Sequence, residues 1–524
     1  MRRIALVVIL MYFFCSGVAH AWNGEGTVID LSSLPENWVF AGDYLASQSD
    51  RVMFSNQLGV TVKVLRNYML STPQGNLQIN LVVTETEEQA EEVYHLFLQM
   101  HSPEQVALRG CRVMEILTDH LPLVEQARLT LRFDSEIVPT VDAAVLRDYL
   151  TRYSWPVHEL QTVVTQLQTE VEDYSIFLVG ESHGMAINQE LESALLEFFV
   201  TEGGVQNYLL ELSPSVVGFL REYLETGDEE LLNFVFSSVA GTYFATEESY
   251  RHWRGVYGLY QSLPEERQFS LLGVDVEHNP LLALQYLQHL LDKVESNELS
   301  GTRLGEIARV LRGERSIYSD EMHAFLTGLL SELETEVVQI ELGILVEEFE
   351  LVLSSLLETA SLPTPNGSLL WNAARDKAMY ASFLKQADKD GEAKYFGQWG
   401  LNHVFQGEQM GVDWFASFVD TTETYEGAIF SMVLVYEDSH YLTSFTHDAL
   451  PFSSYQTESN LVGQLAAGKP LLVKLDGSGS PFDQEMLWKI TGFSPVSGMT
   501  TDYYQYLLFI PGAAPSTPWE MPQN

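Results

Sequence analysis

The sequence has few cysteines and few basic residues for its size. Its 524 residues include 2 cysteines, and 28 lysines and arginines stand against 72 aspartates and glutamates, for a formal net charge of −44. A surface with this excess of negative charge repels phosphate groups, so nucleic acids and anionic membrane surfaces are disfavoured as partners. We interpret the acidity as a solubility feature and expect a small-molecule substrate as the partner.

Signatures of several enzyme classes are also missing. The sequence has no HExxH zinc motif, no glycine-rich phosphate loop and no CxxC pair. We assign no serine or cysteine nucleophile to a predicted strand end, which disfavours covalent acyl transfer. The chemistry left open is activation of water by histidine and carboxylate groups, with or without a metal ion.

The first 21 residues have the pattern of an export signal. Two arginines precede an apolar core at 4–18, and a small-residue cleavage pattern ends at Ala21. The core is too short to span a bilayer comfortably, so an uncleaved anchor is the less favoured alternative. We expect an exported protein, periplasmic or secreted, with no membrane insertion after cleavage. Cleavage removes Cys15 and leaves Cys111, so no internal disulfide is expected.

One stretch combines the signals of a strand, a turn and a helix with polar chemistry. Residues 176–179 read IFLV, which predicts a strand buried on both faces, and a glycine then permits a sharp turn. Glu181 and His183 follow directly. Apolar residues recur at helical spacing from residue 187, with Glu192 among the polar residues assigned to the opposite side. Turns of this kind carry the functional groups of open α/β sheets.

Later strand-like runs also end in titratable side chains. The runs, with the residues that follow them, are 208–210 with Glu211, 269–274 with Asp275, Glu277 and His278, and 394–400 with His403. Because the carboxyl ends of parallel strands lie at one edge of a sheet, we expect these side chains to meet in one cleft. Burying so many ionisable groups costs free energy unless they pair or do chemistry.

The alternation of strands and helices predicts an α/β fold with a central, largely parallel sheet flanked by helices. We expect this domain to cover 165–512, with a helical insertion at about 281–360 that caps the sheet edge and shapes a pocket. The preceding part, 22–150, alternates like half-exposed strands and predicts a separate small α+β domain of unassigned role. An aromatic helix at 250–260 is expected to pack its rings on the sheet, with pocket lining as the alternative.

The candidate residues also have structural interpretations. Glu181 and Glu211 precede predicted helices, where a carboxylate also serves as a cap. Alternation sends Asp275 and Glu277 to the same side, and we favour Asp275 as the one that faces the cleft. Arg375 lies in a segment, RDKAM, that opens a predicted helix. It is either a surface salt-bridge partner or the counter-charge of the carboxylates.

Together these motifs resemble those of the erythromycin esterase family and its wider relatives, the ChaN-like haem-binding proteins and the Tiki-type metalloproteases. The matching segments are GESHG at 180–184, LLE at 209–211, GVD at 273–275, RDKAM at 375–379 and WGLNH at 399–403. The resemblance covers about 165–512. A single residue separates Glu181 from His183, as in the ChaN and Tiki groups, whereas the esterases usually have two. Leu401 stands where the esterases place a histidine.

The resemblance implies an exported hydrolase of the erythromycin-esterase type, in which an activated water attacks an ester or lactone carbonyl. The catalytic residues that it implies are His183 as general base, Glu181 as its orienting group, Glu211 and Asp275 as holders of the water or a metal, and His403 with Arg375 as stabilisers of the developing negative charge.

Two alternatives stay open at this stage. A ChaN-like protein would bind haem or a metal without turnover, and a Tiki-like protein would be a metal-dependent peptidase. In the ChaN-like case the ligands would be His183 and His403, since neutral imidazole suits transition metals. The full set of candidate metal ligands is Glu181, His183, Glu211 and His403. The sequence does not assign the cofactor, since the esterase interpretation requires none and the alternatives require haem or a divalent metal. It also does not assign the substrate or the oligomeric state.

Overall fold

The computed structural model describes residues 37–521 apart from a set of gaps. These gaps are 47–50, 53, 56–57, 98–104, 110, 119–122, 125–126, 128–142, 295–302, 314–319, 334, 336–337, 340–341, 364–366, 388–391, 410–411, 457–460, 485–488 and 491–497. The predicted export signal lies outside the described residues. None of the described helices combines the length and the apolarity needed to cross a bilayer.

A five-stranded antiparallel sheet with the strand order β1-β2-β3-β5-β4 forms the N-terminal unit. Its elements are β1 (Val39–Leu45), β2 (Val62–Thr72), β3 (Gly75–Thr84), α1 (Glu87–Phe97), β4 (Val106–Arg109) and β5 (Arg112–Leu117). One face carries a cluster around Tyr68 and Ile79, and the other buries Val82 against Ala90 and Val93 of α1. This is the small α+β unit that the alternating sequence pattern predicts.

A mostly parallel, eight-stranded sheet is the centre of the larger unit, in the order β6-β15-β17-β11-β7-β10-β8-β9. The strands from β6 onward are β6 (Ser154–Pro156), β7 (Ile176–Glu181), β8 (Asn207–Leu210), β9 (Ser270–Gly273), β10 (Tyr395–Gly400), β11 (Ile429–Glu437), β12 (Ser439–Leu442), β13 (Ala449–Phe452), β14 (Tyr455–Gln456), β15 (Leu471–Lys474), β16 (Lys489–Ile490) and β17 (Tyr506–Pro511). Within this sheet β15 runs antiparallel to both its neighbours. Outside it, β12 pairs with β13 and β14 with β16.

Helices cover both faces of this sheet. They are α2 (Ala143–Arg152), α3 (Gln161–Leu167), α4 (Ile187–Thr201), α5 (Pro214–Thr226), α6 (Glu229–Ser238), α7 (Glu247–Ser262), α8 (Pro280–Lys293), α9 (Arg303–Gly313), α10 (Asp320–Leu333), α11 (Val346–Ser361), α12 (Leu369–Gln386), α13 (Phe415–Asp420) and α14 (Leu461–Ala466). Alternate residues of the buried strand β7 serve the two cores: Phe177 and Val179 join one cluster, and Ile176 and Leu178 join the other. The predicted α/β fold is confirmed.

The start of one helix and the span of the main sheet differ from the sequence expectation. Helix α12 begins at Leu369, so the RDKAM segment lies in its second and third turns and does not open the helix. The start signal is Ser368, whose hydroxyl oxygen accepts a hydrogen bond from the Trp371 amide at 3.2 Å. Strand β6 pairs with β15, so the main sheet takes a strand from before residue 165. Beyond residue 512, Pro515 forms an isolated bridge with Met185.

Candidate functional site

The ends of neighbouring parallel strands gather charged side chains at one edge of the sheet. His183 follows β7, Glu211 follows β8, Asp275 lies two residues beyond β9, and His403 is in the 3-10 turn that follows β10. Arg375 reaches the same place from α12. The parallel register of β10 and β7, which pairs Gly400 with Glu181, sets the two histidine-bearing turns side by side. The structure therefore brings all six predicted site residues together.

Arg375 is the counter-charge of two carboxylates. Its Nε and Nη2 donate to the two oxygens of Asp275 at 2.7 Å each, and Nη2 also donates to Glu211 Oε1 at 2.7 Å. Burial disfavours the charged guanidinium, but the charges of Asp275 and Glu211 outweigh it and raise the pKa of Arg375. Burial likewise opposes ionisation of Asp275, and the charge of Arg375 nevertheless lowers the pKa of that carboxyl. Arg375 is thus a buried, bidentate partner rather than a surface ion pair.

His403 carries a second buried positive charge. Its Nδ1 lies 2.6 Å from Asp376 Oδ1, and its Nε2 lies 3.2 Å from Glu211 Oε1. Burial lowers the pKa of His403, but Asp376 and Glu211 more than compensate and raise it to about 10. An imidazolium donates from both nitrogens. The 3.2 Å approach of Arg375 Nη1 to His403 Nε2 therefore joins two donors and is not a hydrogen bond.

Glu181 and His183 form an oriented pair at the end of β7. The imidazole Nδ1 lies 2.9 Å from Glu181 Oε1, while Gln398 Nε2 donates to Glu181 Oε2 at 2.7 Å. Tyr243 stacks on the imidazole with a centroid separation of 5.4 Å. Burial lowers the pKa of His183, but the Glu181 hydrogen bond and the nearby charge of Glu211 raise it above 6.5 overall. With Nδ1–H directed at Glu181, Nε2 is the nitrogen that can accept a proton.

Gly400 leaves space where these groups converge. A methyl group added to Gly400 would lie 3.1 Å from His183 Nε2, 3.3 Å from His403 Cδ2 and 3.5 Å from Glu211 Oε2. The Gly400 amide donates to the same Glu211 oxygen at 2.6 Å. The base, one cationic ring and one carboxylate therefore border a single small volume.

A cavity of about 290 Å³ opens beside this volume. Five of the predicted residues line it, and His403 does not; the five are Glu181, His183, Glu211, Asp275 and Arg375. The 239–244 segment between α6 and α7 supplies another part of the wall, including Tyr243 and Phe244. His252 and Trp253 of the aromatic helix α7 also line the cavity, while Trp253 is buried in the core. Helix α7 therefore packs an aromatic ring into the core, as the sequence predicts, and also lines the pocket, which was the alternative interpretation.

The described part of the helical insertion does not line this cavity, whereas the sequence analysis expects the insertion to shape a pocket. No residue of 281–360 is among the described lining residues. Helices α8 and α11 of the insertion instead pack against α5, and α11 also packs against α12. Ser355 donates to the Asp275 backbone carbonyl at 3.3 Å, and the Thr359 hydroxyl accepts from the Glu277 amide at 2.8 Å. The insertion therefore hydrogen-bonds to the loop that carries Asp275 and supports that loop.

Asp275 and Glu277 have separate roles in that loop. Asp275 binds Arg375, whereas Glu277 accepts from the Ser215 amide at 3.0 Å and the Ser215 hydroxyl at 2.6 Å. Glu277 thus holds the first turn of α5, and burial raises its pKa to about 7. His278 Nε2 lies 2.8 Å from Asp275 Oδ2.

Sequence reasoning missed several residues of the site. Glu192 is buried and lines the cavity, although the helical pattern assigned it to the opposite side of α4. Tyr208 and His252 complete the same wall. Asp376 and Gln398 support His403 and Glu181. The available signals were weak: Asp376 directly follows Arg375, and Gln398 is a polar residue in an otherwise apolar strand.

The segment GESHG also fits the nucleophile-elbow pattern G-x-S-x-G, with Ser182 at its centre. The sequence reasoning overlooked this match. Ser182 is not among the described residues that line the cavity, and no hydrogen bond joins its hydroxyl to a histidine in the described part of the chain. The geometry therefore gives Ser182 no general base.

The four candidate metal ligands have other partners. Within the described ranges, no group of three or more His, Cys, Asp or Glu side chains has an arrangement that would hold a metal ion. Glu211 is engaged by Arg375 and by the Gly400 amide, and Glu181 by His183 and a glutamine. The carboxylate oxygens that a metal ion would need as ligands are therefore already bonded to other groups, one of which is the Arg375 guanidinium.

No known family model matches the sequence, and no curated protein is significantly similar to it. Among solved structures, the chain is similar to a Bacillus cereus protein at 14% identity and a TM-score of 0.54, covering 72% of this chain and 100% of that one. It is also similar to a succinoglycan biosynthesis protein at 13% identity and a TM-score of 0.50, covering 73% and 100%. An erythromycin esterase mutant in its open conformation is similar at 15% identity and a TM-score of 0.45, covering 67% and 93%. At these identities, the first two likenesses show a shared fold.

Proposed function

We propose that the cavity is the active site of a hydrolase in which His183 activates a water molecule for attack on an ester or lactone carbonyl. The observation that carries this proposal is the Glu181–His183 pair, whose 2.9 Å contact at Nδ1 leaves Nε2 to accept a proton. The side chain of His183 is 40% exposed, whereas that of Glu181 is 8% exposed. The base is thus accessible and its orienting carboxylate is protected.

The remaining charged residues support the charge changes of such a reaction. His183 Nε2 takes a proton from water, the water oxygen bonds to the carbonyl carbon, and negative charge develops on the carbonyl oxygen. Arg375 and the His403 imidazolium place two fixed positive charges beside the cavity. Arg375 Nη1 contacts no carboxylate among the described residues, so it is the nitrogen available to that oxygen. Glu211 lies within reach of both cations and holds them in place.

His183→Ala tests the proposal. Because the imidazole is the only base assigned to the water, we expect the variant to lose turnover on a panel of esters and lactones. Its free energy of unfolding should stay within about 1 kcal/mol of the wild type, as expected for a cleft residue. Hydrolysis is followed by titration of released acid, and stability by chemical denaturation.

His158→Ala is the matched control, since His158 is an exposed histidine outside the cavity. It should hydrolyse the panel at the wild-type rate. Wild-type activity in His183→Ala would remove His183 from the mechanism. Absence of turnover in the wild type across the whole panel would contradict the proposed reaction class.

A further inference from the structure

A second polar cluster lies on the wall of the same cavity. Glu192 of α4, Tyr208 of β8 and His252 of α7 are each buried, with relative exposures of 9%, 1% and 5%. All three line the cavity. Ser193, the residue after Glu192, contacts the far side of the His252 ring. The reaction described above uses none of these four residues.

Their contacts form a chain in which the direction of each hydrogen bond can be determined. Ser193 Oγ lies 2.7 Å from the Gln189 carbonyl oxygen and 2.7 Å from His252 Nδ1. A carbonyl only accepts, so the single serine hydrogen goes to Gln189. His252 must then donate from Nδ1 to Ser193 Oγ. If Ser193 instead donated to His252, its oxygen and the Gln189 carbonyl oxygen would lie 2.7 Å apart with no hydrogen between them.

The donors and acceptors can be followed further, from His252 to Tyr208 and Glu192. Burial lowers the pKa of His252 to about 3, so the ring is neutral and its Nε2 is an acceptor. The Tyr208 hydroxyl donates its single hydrogen to Glu192 Oε1, and its oxygen lies 3.0 Å from His252 Nε2. A neutral Glu192 therefore carries its proton on Oε2, which makes no hydrogen bond among the described residues.

The electrostatic surroundings favour the neutral form of Glu192. Burial raises the pKa of Glu192 to about 8, although the Tyr208 contact opposes the shift. The charged or titratable groups that face Glu192 are Glu181 and His183 at the end of β7, Tyr208 on β8, and His252 on α7. The charge of Glu181 adds to the rise and that of His183 opposes it. Among the described residues, no lysine or arginine pairs with the carboxyl, so the neutral form persists at neutral pH.

We propose that Glu192 is the general acid of this cavity and donates its proton to the alcohol oxygen that leaves during hydrolysis. The inference rests on the proposed function. His183 takes one proton from water, the water oxygen bonds to the carbonyl carbon, and the bond from that carbon to the alcohol oxygen breaks. The Glu192 proton neutralises this oxygen as it leaves. Return of the His183 proton to Glu192 then restores both groups, and the products are the acid and the alcohol.

This assignment specifies the substrate class. An alkyl alcohol is a poor leaving group as a free alkoxide, so a neutral acid beside it is most useful for esters and lactones of unactivated alcohols. A phenolate leaves without such help. Tyr208, His252 and Ser193 act through Glu192 and are positioning residues.

Glu192→Gln tests the assignment with two esters that share one acyl group, one of an alkyl alcohol and one of an activated phenol. The amide keeps the shape of the side chain and has no proton to transfer. We expect kcat/KM for the alkyl ester to fall by about 10²- to 10³-fold, within the usual range for general acid catalysis. The phenol ester should lose less than about tenfold. His183→Ala should lose both activities, because both reactions need the activated water.

Glu190→Gln is the matched control, since Glu190 is exposed on the same helix and does not line the cavity. It should leave the kcat/KM of both esters unchanged. Equal losses for the two esters in Glu192→Gln would overturn the role as acid. If the wild type hydrolyses neither ester, both this role and the proposed function are overturned.

An infrared measurement tests the protonation state without turnover. The wild-type spectrum at pH 7 should contain the carbonyl band of a protonated carboxylic acid that is missing from Glu192→Gln. Because Glu277 also has a raised pKa, the band must be taken from the difference between the two proteins. It should disappear as the pH rises past about 8. In Tyr208→Phe the midpoint of that titration should move, and absence of the band from the wild type at pH 7 would overturn the proposal.

Discussion

At the scale of single residues, the site is an arrangement of paired charges from which His183 and Glu192 stand apart. Arg375 and His403 neutralise much of the charge on their carboxylate partners, and each is buried and hydrogen-bonded to a carboxylate. Such a network is costly to desolvate and is held together by its mutual pairing. His183 has one carboxylate partner, and no lysine or arginine of the described residues pairs with Glu192. Of the groups to which the proposed reaction assigns a proton, these two are the ones whose protonation can change near neutral pH.

The pH dependence of hydrolysis follows from these two groups. The pKa of His183 is raised above 6.5, so below that value the imidazole is protonated and cannot accept a proton from water. Activity should rise as the pH passes the raised pKa. The pKa of Glu192 is raised to about 8, so its proton is lost above that value and activity should fall. We expect a bell-shaped profile of kcat/KM for an alkyl ester, with its maximum between the two values.

The two limbs of the profile can be assigned with variants. Glu192→Gln has no proton to lose, so its remaining activity should keep the acid limb and lose the alkaline one. Glu190→Gln should retain both limbs. A wild-type rate that is highest below pH 6 would contradict the role of His183 as a base.

Residue positions were predictable from sequence where a strand end fixes them, and less so on helices. Glu181 ends one buried strand, His183 and Glu211 follow buried strands, and the parallel topology brings all three to one edge. Glu192 lies on a helix whose polar residues divide between the two sides. Periodicity does not distinguish a solvated carboxylate from one bonded to a tyrosine, and Tyr208 comes from a different strand. Only the fold brings the two together.

At the scale of elements, β10 contains two glycines, and the atoms around each one restrict substitution in different ways. Gly400 has φ −55° and ψ 138°, a conformation that any residue can adopt. A methyl group at Gly397 would lie 2.4 Å from the Leu209 carbonyl oxygen and 2.6 Å from Trp399 Nε1. Those two atoms are joined by a hydrogen bond of 2.8 Å. The first glycine borders the site, and the second is required by packing between strands.

Gly400→Ala should therefore reduce activity more than stability. The added methyl group would enter the space next to His183 Nε2 and Glu211 Oε2, where a water must lie. We expect a loss of kcat/KM of at least about 10²-fold, as for other displacements at a reacting centre. The free energy of unfolding should change by no more than about 1 kcal/mol. Ester hydrolysis and denaturant unfolding measure the two effects.

Gly397→Ala is the matched comparison on the same strand. Its methyl group meets backbone, so we expect it to lower the free energy of unfolding by about 1–3 kcal/mol or more. If Gly400→Ala hydrolysed esters at the wild-type rate, the volume beside His183 would not hold the attacking water.

The sequence predicts the helices and strands themselves but not the surfaces against which they pack. The apolar runs of β7 to β10 and the helical periodicity of the insertion are local properties, so the sequence contains them. The surface against which the insertion packs is a tertiary property. Helix α11 lies against α5 because its apolar positions, including Val352 and Leu356, join the core cluster that contains α5, and it also packs against α12. The sequence pattern identifies that apolar stripe but not the partner it meets.

At the scale of the whole molecule, the described residues form two sets of hydrophobic clusters. The clusters of the N-terminal sheet contain only residues up to Ala127, and those of the main sheet begin at Tyr149. A unit with its own core can fold without its neighbour. The site residues and the described lining of the cavity all lie between Glu181 and His403, within the span of the second set. Helix α2 and β6 precede residue 165 and still belong to the main unit.

Two truncations test this division. A protein that begins at residue 143 keeps α2, whose Tyr149 hydroxyl donates to the Lys474 carbonyl at 3.0 Å, and keeps β6, which pairs with β15. We expect it to fold cooperatively and to hydrolyse esters at the wild-type rate. A protein that begins at residue 165 loses both elements and exposes the edge of β15, so it should aggregate or unfold at a lower temperature. Thermal unfolding and ester turnover of the two proteins, measured beside the full chain, distinguish them. Loss of folding in the longer fragment would show that the N-terminal sheet stabilises the main unit. Equal stability of the two fragments would show that β6 does not stabilise it.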